Sequence, residues 1–263
     1  MIAATGEAKV QATNDGAIVF DAAAAARAGG ERFDPAWFDP GHWRGQGLST
    51  EHGGGRGGVL RVRAGEDEWL LRHYHRGGMV ARVLGDRYLW NGAERTRGFA
   101  EFRMLAELSR RGLAVPNPIA ARYRRSGVHY RADLITHYIA PAQTLAERLR
   151  AGAIDPLTAE RIGAGIAEFH AAGAYHADLN AHNVLLDPRR VWLVDFDRGA
   201  LRTPAKTWQL ANLARLRRSL VKLGAARDSE QAFDRECWQP LMAAWERALG
   251  RVGVQAPAGR GGP

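Results

Sequence analysis

The stretch that decides the fold reads Tyr175-His176-Ala177-Asp178-Leu179-Asn180-Ala181-His182-Asn183, and two short apolar runs follow it, at 184–186 and 191–194. Between the runs lies Asp187-Pro188-Arg189-Arg190, which has the composition of a tight turn. The pattern predicts a polar loop and then a β-hairpin, which returns the end of the second run to the end of the loop. The residues that this hairpin would bring together are Asp178, Asn183 and Asp195.

Phosphoryl transfer from ATP needs the groups that these three side chains carry. One carboxylate must orient and deprotonate a hydroxyl, and oxygen ligands must hold magnesium beside the phosphates. Asp178 is therefore the candidate catalytic base, and Asn183 and Asp195 are the candidate magnesium ligands. Asp and Asn are also common in turns and caps, but three of them at this spacing favour the catalytic interpretation. His176 is expected to pack beneath the loop rather than to react.

The composition indicates a folded, basic chain. It has 263 residues, 46% of them hydrophobic, a formal net charge of +9 and a pI of about 10.4. A single cysteine, Cys237, excludes an intrachain disulfide and a cysteine metal cluster. No run approaches the roughly 20 apolar residues of a membrane-spanning helix. The positive charge is almost all arginine, which a GC-rich genome or an anionic partner would explain equally well, and no motif supports nucleic acid as that partner.

The order of predicted elements is strands with one helix, followed mostly by helices. Alternating or apolar runs predict strands at 17–20, 59–63, 68–74, 119–124 and 128–137. Helical periodicity predicts helices at 96–111, 144–151, 156–172, 208–223 and 233–249. This order predicts an α+β fold with two lobes: an N-lobe at 1–140 with an antiparallel sheet plus one helix, and a mostly helical C-lobe at 141–250. Residues 251–263 are predicted to be a disordered tail.

The loop and hairpin resemble the catalytic core of the protein-kinase-like superfamily. The usual signature is H-R-D-x-x-x-x-N followed by D-F-G, and this chain has H-A-D-L-N-A-H-N followed by D-F-D. Ala177 replaces an Arg that pairs with a phosphorylated activation loop, and Asp197 replaces the usual Gly. These departures favour a kinase of small molecules or sugars over a protein kinase.

The resemblance also indicates where ATP would be held. A glycine-rich loop precedes the strand at 59–63, and its backbone N–H groups are predicted to cover phosphates. The loop residues assigned to this role are Gly55, Arg56, Gly57 and Gly58.

The strand lysine of protein kinases is missing, because none of the three lysines lies between positions 10 and 205. Arg72 occupies the corresponding place in Leu70-Leu71-Arg72 and keeps the positive charge. Its expected partner is Glu101 on the helix at 96–111, with Glu107 and Glu94 as alternatives.

Basic residues elsewhere are candidates for binding an anionic acceptor. Those assigned to this role are Arg76, Arg95 and Arg97. The helix at 208–223 is basic and amphipathic, so it could lie on an anionic membrane, or its apolar face could belong to the core.

With these residues in view, the chain resembles the 3-deoxy-D-manno-octulosonic acid (Kdo) kinase family, related to the heptose kinases of the lipopolysaccharide core. The resemblance runs from about position 33 to 223, and its most specific parts are the D-L-N-A-H-N string at 178–183 and the R-G-G string at 76–78, which follows a predicted strand. It implies that ATP, with Mg²⁺, phosphorylates the 4-hydroxyl of the Kdo sugar on a lipid A precursor, in lipopolysaccharide core biosynthesis.

The same resemblance implies a peripheral enzyme on the cytoplasmic side of the cell inner membrane, in contact with its anionic surface. Two alternatives stay open. One is another sugar or small-molecule kinase, such as a heptose kinase or an aminoglycoside-phosphotransferase-like enzyme. The other is a non-catalytic kinase-like scaffold, which the missing lysine favours and the retained Asp178, Asn183 and Asp195 disfavour.

Overall fold

The computed structural model describes residues 6–52, 59–75 and 85–255. The chain divides into two compact units, Met1–Ile139 and Ala140–Pro263. This division falls one residue before the boundary at 140/141 that the sequence predicts. Among the helices of the described residues, none combines the length and the hydropathy that crossing a bilayer requires.

The first unit is built on an antiparallel sheet. Its described strands are β1 (Ala8–Thr13), β2 (Gly16–Asp21), β3 (Ser49–His52), β4 (Val59–Ala64), β5 (Asp67–His73), β6 (Tyr88–Leu89), β7 (Pro118–Ser126) and β8 (His129–His137). Their order across the sheet is β1-β2-β7-β8-β5-β4-β3, and β6 pairs with β8. The five strands predicted from the sequence are therefore present, and β5 and β8 are neighbours at its centre.

One long helix, α3 (Arg97–Arg110), contacts β7 and β8. Its apolar stripe, which includes Phe99, Phe102 and Leu105, is buried. The helix approaches the sheet closely at Gly98, where a Cβ atom would lie 3.0 Å from the carbonyl oxygen of Asp133. Glycine at this position therefore lets the first turn of the helix sit against β8.

The described part of the first unit also contains two short helices that the sequence did not predict, α1 (Ala22–Arg27) and α2 (Pro40–Gly45). The N-cap side chain of each, Asp21 and Asp39, accepts a hydrogen bond from a backbone N–H of its first turn. Each is only six residues long, too short for a helical period to show in the sequence.

An aromatic cluster forms much of the core of the first unit. Phe33, Trp43 and Trp69 are all at least 96% buried, and the rings of Phe33 and Trp69 stack with their centroids 6.1 Å apart. Burying an aromatic side chain of this size contributes on the order of 1.5–3 kcal/mol. The segment ahead of β3 is thus held to the sheet by its aromatic residues.

The second unit is mostly helical. Its described helices are α4 (Leu145–Ala151), α5 (Pro156–Ala171), α6 (Lys206–Lys222), α7 (Glu230–Phe233) and α8 (Gln239–Gln255), with a π-helical turn at Asp234–Trp238. Helices α5 and α8 pack closely, because Gly163 lies where a Cβ atom would be 2.0 Å from the carbonyl oxygen of Leu241. The short strands are β9 (Gln143–Thr144), β10 (Ala174–Tyr175), β11 (Val184–Leu186), β12 (Val191–Leu193) and β13 (Ala200–Leu201).

The predicted hairpin is present as β11 and β12. The two strands are antiparallel, with Val184 opposite Leu193 and Leu186 opposite Val191. The turn between them is held by Asp187, whose side chain accepts hydrogen bonds from the backbone N–H groups of Arg189 and Arg190, each at 2.6 Å. A polar turn residue thus fixes the register of the pair.

The C-terminal prediction was wrong at its start. Helix α8 continues to Gln255, five residues into the segment 251–263 that the sequence predicted to be disordered. The glycine and proline content suggested an earlier end, but no proline follows Pro240 until Pro257. A proline disfavours helical backbone at the residue before it, so the helix can run as far as Gln255. Residues 256–263 lie outside the described residues.

Candidate active site

The hairpin fixes the position of Asp195 relative to Asn183. The backbone N–H of Val194 donates to the carbonyl oxygen of Asn183 at 3.1 Å, which extends the strand pairing by one step. Asp195 is the next residue along, and its φ is 61°. A non-glycine residue in this left-handed region costs on the order of 1–3 kcal/mol, and such residues cluster at functional sites. The left-handed backbone at Asp195 turns the chain directly after the hairpin.

Of Asp178, Asn183 and Asp195, Asp178 is the most exposed to solvent. Its side chain is 67% exposed, and the Asn180 amide donates to its Oδ2 at 3.0 Å. Its backbone N–H donates to Nδ1 of His176 at 3.1 Å. The carboxylate is therefore oriented by its own loop and remains open to a hydroxyl group from solution, as a general base must be.

His176 is buried and links the loop to the segment that follows β12. Its Nε2 donates to the carbonyl oxygen of Val194 at 2.9 Å, and its ring packs on Phe196 with centroids 4.7 Å apart. Because Nδ1 accepts the Asp178 N–H, these partners assign the neutral tautomer with its proton on Nε2. Burial lowers the pKa of His176, which keeps that neutral form at physiological pH. The histidine is structural, as the sequence indicated.

The side chain of Asn183 is oriented by the loop. Its Nδ2 donates to the carbonyl oxygen of Asp178 at 2.9 Å, so its Oδ1 points elsewhere. Within the described residues, Oδ1 accepts no hydrogen bond, although Asn183 is only 9% exposed. An amide oxygen and a carboxylate are both groups that could hold Mg²⁺, which takes oxygen ligands and is usually bound through one or two carboxylates plus substrate phosphates. The described residues hold no cluster of three or more His, Cys, Asp or Glu that could bind a metal instead.

Helix α6 holds the loop from the other side. The buried Asn212 donates through Nδ2 to the carbonyl oxygen of His176 at 2.9 Å and accepts the N–H of the same residue at 3.3 Å. The hydroxyl of Ser219 accepts the N–H of Ala181 at 3.1 Å. Between them, Nη1 of Arg215 lies 3.8 Å from Oδ1 of Asp178. The backbone of the loop is thus hydrogen-bonded to helix α6 near both of its ends.

The apolar face of the helix at 208–223 was expected either to lie on a membrane or to belong to the core, and the burial of its leucines decides between the two. Its leucines at 213, 216 and 220 are fully or almost fully buried in the second unit. Its apolar face is therefore core. Two other apolar residues of the helix, Leu210 and Val221, are 43% and 40% exposed.

In the first unit, Arg72 and Glu101 form an ion pair between β5 and α3. The hydroxyl of Tyr74 donates to Oε2 of Glu101 at 2.6 Å and accepts from Nη2 of Arg72 at 3.1 Å. Burial raises the pKa of Tyr74 well above its ordinary value, which keeps the hydroxyl a donor. Glu101 is 3% exposed, so both partners matter to a carboxylate removed from water.

The alternative partners of Arg72 are engaged elsewhere. Glu94 bonds with Arg103 at 3.2 Å, and Glu107 bonds with Arg110 and Arg111 at 2.9 and 2.7 Å. Both are surface pairs. The structure therefore gives Arg72 the partner that the sequence preferred.

The basic residues assigned to the acceptor differ in their surroundings. Arg97 donates to the Tyr88 hydroxyl at 2.8 Å, and its guanidinium lies 4.8 Å from that ring and 5.5 Å from the ring of Tyr74. Arg95 is exposed on a short 3₁₀ turn. The remaining predicted residues of the first unit lie outside the described residues: Gly55, Arg56, Gly57, Gly58 and Arg76.

Beside Arg72 on β5, His73 lies between two carboxylates. Its Nδ1 is 2.6 Å from Asp133 and its Nε2 is 2.9 Å from Asp86. Arg122 and Arg131 pair with these carboxylates at 2.9 and 2.7 Å respectively. The hydrogen bond to Asp133 raises the pKa of His73, while its partial burial opposes the rise.

Sequence reasoning missed three residues of the site: Tyr74, Asn212 and Arg215. Tyr74 follows Arg72 by two positions, so both project from one face of an extended chain, and that signal was available. Asn212 is a polar residue within a buried apolar stripe, which also marks it as unusual. Nothing distinguishes Arg215 in sequence from the other basic residues of its helix.

The fold and the site define a phosphotransferase of the protein-kinase-like class. The first unit carries an antiparallel sheet and a helix against it, joined by the Arg72–Glu101 pair. The second is mostly helical and carries the loop that ends at Asn183 and the β11–β12 hairpin.

Known proteins are similar to this chain over most of its length, and residues 41–245 match the model of the lipopolysaccharide kinase (Kdo/WaaP) family. A 3-deoxy-D-manno-octulosonic acid kinase of Xanthomonas campestris pv. campestris (strain B100) is 47% identical, over 90% of this chain and 92% of its own. Its counterpart in Xylella fastidiosa (strain M12) is 44% identical, over 83% and 86%. A solved structure described as WaaP in complex with acyl carrier protein has a TM-score of 0.45 and 18% identity, covering 80% of this chain and 94% of that one. The chain belongs to the lipopolysaccharide kinase (Kdo/WaaP) family.

Proposed function

We propose that this kinase transfers the γ-phosphoryl group of ATP to the 4-hydroxyl of the Kdo sugar on a lipid A precursor, in lipopolysaccharide core biosynthesis. The observation that supports the chemistry is a pair of hydrogen bonds: Asn183 donates to the carbonyl oxygen of Asp178, and Val194, the residue before Asp195, donates to the carbonyl oxygen of Asn183. The acceptor is supported by relatives named Kdo kinases at 44–48% identity over at least 83% of the chain.

Asp178 accepts the proton of the acceptor hydroxyl as its oxygen attacks the γ-phosphorus. A new O–P bond forms, the bond from the γ-phosphorus to the bridging oxygen breaks, and ADP leaves. The proton then passes from Asp178 to solvent. Asp178 is suited to this role because its side chain is 67% exposed and is held by Asn180 and His176. Placing the hydroxyl in line supplies much of the rate, since phosphoryl transfer depends on positioning and charge stabilisation.

Asn183 and Asp195 would hold Mg²⁺. When bound, the ion neutralises charge on the β- and γ-phosphates. Arg72, oriented by Glu101 and Tyr74, is the residue of the first unit that we assign to the phosphates. Its planar guanidinium can grip two oxygens at once. The glycine loop, including Gly55, Arg56, Gly57 and Gly58, is assigned to the same task through its backbone N–H groups.

The acceptor is tested by mass spectrometry. The purified chain is incubated with ATP and Mg²⁺, in parallel with a Kdo-bearing lipid A precursor and with a heptose-bearing core. The expected result is one added phosphate on the Kdo-bearing acceptor, located at the 4-hydroxyl by fragmentation. Phosphate on heptose alone would support a heptose kinase instead. An Asp178→Ala control shows that the transfer is not due to a contaminating enzyme.

A contact with the anionic surface of the cell inner membrane, from the cytoplasmic side, is also part of the proposal. From Arg198 to Arg227 the chain carries eight basic residues and no acidic one. A stretch of this charge attracts anionic lipid by about 1 kcal/mol per basic residue near the surface. Vesicles with anionic lipid should sediment the protein at low salt, and neutral vesicles should not. Equal binding to both would contradict the electrostatic contact.

A non-catalytic scaffold is the contrasting possibility, and only the missing strand lysine favours it. ATP binding that depends on Mg²⁺, together with phosphate transfer that Asp178→Ala abolishes, would exclude it. Binding of ATP without any transfer to either acceptor would support it.

A further inference from the structure

Three residues of helix α6 meet the catalytic loop along one line. Asn212, Arg215 and Ser219 are spaced by three and four positions, which puts them on one side of a helix. Their contacts on the loop are His176, Asp178 and Ala181 respectively. The two outer contacts are hydrogen bonds to the loop backbone. The middle residue, Arg215, is therefore placed beside the candidate base by the bonds on either side of it.

Arg215 is not needed by the fold. Its guanidinium is 3.8 Å from Asp178, which is an ion-pair distance but too long for a hydrogen bond. Within the described part of the chain, Arg215 makes no other ion pair or hydrogen bond, and its side chain is 44% exposed. Arg217, two positions later, is the contrast, because it bonds to Glu230 at 3.1 Å and to Asp234 at 2.9 Å. The N–H groups of Arg217 bind carboxylates of the segment that follows helix α6. Those of Arg215 make no such bond among the described residues.

The position of Arg215 puts positive charge where the reaction develops negative charge. A hydroxyl that donates to Asp178 lies about 2.6–3.2 Å from the carboxylate. The phosphorus that it attacks is about 3–3.5 Å further on. A guanidinium beside the second carboxylate oxygen is therefore within a side chain's reach of the transferred group and of the acceptor near its hydroxyl. No acidic residue between 198 and 227 competes for it.

We propose that Arg215 is a substrate-binding residue of the proposed kinase reaction, which donates to an anionic oxygen beside Asp178. The proposal rests on the proposed function. The oxygen belongs either to the γ-phosphoryl group of ATP or to an anionic group of the acceptor. Both are anions that a guanidinium binds with paired N–H groups, and the test separates them.

The test compares Arg215→Ala and Arg215→Lys with Arg150→Ala. Arg150 is exposed on α4 of the same unit, outside the basic stretch 198–227, and within the described residues it makes no ion pair, so its loss controls for charge alone. Phosphate transfer to a detergent-dispersed acceptor and ATP hydrolysis without acceptor are both measured. Thermal unfolding confirms that each variant is folded. If Arg215→Ala does not fold, the comparison is made with Arg215→Lys instead.

We expect Arg215→Ala to lower kcat/KM for transfer by about 10- to 100-fold, the effect of one lost charge-assisted hydrogen bond. Arg150→Ala should stay within about twofold of wild type. A parallel fall in hydrolysis assigns the contact to the γ-phosphoryl group. Unchanged hydrolysis with a raised KM for the acceptor assigns it to the acceptor. Transfer by Arg215→Ala within about twofold of wild type, or an equal loss in Arg150→Ala, overturns the proposal.

A second comparison separates substrate binding from a role through Asp178. If Arg215 acts only by orienting that carboxylate, removing it from an Asp178→Asn enzyme should cost nothing more. If it binds substrate, the KM of the affected substrate should rise as much in that background as in wild type. A wild-type protein that transfers no phosphate in the same assay would instead refute the proposed function, so the two failures are distinct.

Discussion

Replacing Tyr74 by Phe tests how the first unit holds its ion pair. The Tyr74 hydroxyl donates to Oε2 of Glu101 at 2.6 Å and accepts from Arg72 at 3.1 Å. The substitution keeps the ring, so the packing of this 5%-exposed side chain is preserved. What is lost is the hydrogen bond to a carboxylate that is 3% exposed, the one accepted from Arg72, and a longer contact of 3.4 Å with the carbonyl oxygen of Arg97. The bond to the buried carboxylate is the strongest of the three. Glu101 then depends on its remaining partners, Arg72 among them.

The size of the effect follows from the charge and burial of the acceptor. A hydrogen bond to a charged group contributes about 1.5–3 kcal/mol, against about 0.5–1.5 kcal/mol for a neutral pair. Tyr74→Phe should therefore lower the free energy of unfolding by about 1.5–3 kcal/mol. In a Glu101→Gln background the hydroxyl meets a neutral amide, so the same change should cost about 1 kcal/mol less.

Urea unfolding of the four proteins in this double-mutant cycle measures both quantities. Fluorescence and circular dichroism should be followed together, because a chain of two units need not unfold in one step. Tyr123→Phe is the matched control: Tyr123 lies on β7 of the same sheet, and its hydroxyl makes no hydrogen bond among the described residues. A loss no larger than that of the control, or an equal loss in both Glu101 backgrounds, would refute the reasoning.

Four further outcomes are expected. Asp178→Ala should fold normally, because the side chain is 67% exposed, yet lose about 10²–10⁴-fold in transfer, and retention of more than a tenth would exclude its role as base. Asn183→Ala should raise the Mg²⁺ concentration for half-maximal activity, and an unchanged Mg²⁺ titration would remove it from the ligand set. The hydrogen bond to Asp133 raises the pKa of His73, so its charged form adds stability below about pH 6.5 that is lost as pH rises through the raised pKa. His73→Gln should therefore destabilise more at pH 6 than at pH 9 in urea unfolding, and equal losses would contradict this. Asn212→Ala should lower both the free energy of unfolding and the turnover, because it removes both hydrogen bonds to the His176 backbone. If either quantity is unchanged, these two bonds do not hold the loop in place.

The parts of the fold that the sequence predicted are those with a clear period. The helix at 96–111 and the strand at 128–137 match α3 (Arg97–Arg110) and β8 (His129–His137) to within one residue at each end. The strand β1 (Ala8–Thr13) was missed, because its residues are exposed or half-buried and lack an apolar alternation. It is held by pairing with β2, and pairing leaves no mark on a single segment.

In the candidate site, too, the local features could be predicted from the sequence and the tertiary contacts could not. The hairpin and its turn are local, so the sequence predicted that Asp195 returns to Asn183. The partner of Arg72 could be narrowed to Glu101, Glu107 or Glu94, and the surface pairs formed by the last two decide between them. The contacts of α6 with the loop could not be predicted, because they join residues 36 to 38 positions apart through tertiary packing.

Burial separates the proposed base, Asp178, from three residues that act only through their neighbours. Asp178 is mostly exposed, whereas His176, Asn212 and Tyr74 are at least 95% buried. A buried hydrogen-bonding group contributes to folding, so its loss should lower stability and activity together. An exposed group contributes little to folding, so its loss should lower activity alone. Arg215, at 44% exposure and without an ion pair beyond Asp178 in the described chain, belongs by this criterion with the proposed base. Arg215→Ala should therefore lower phosphate transfer without lowering the free energy of unfolding, whereas Asn212→Ala on the same helix should lower both.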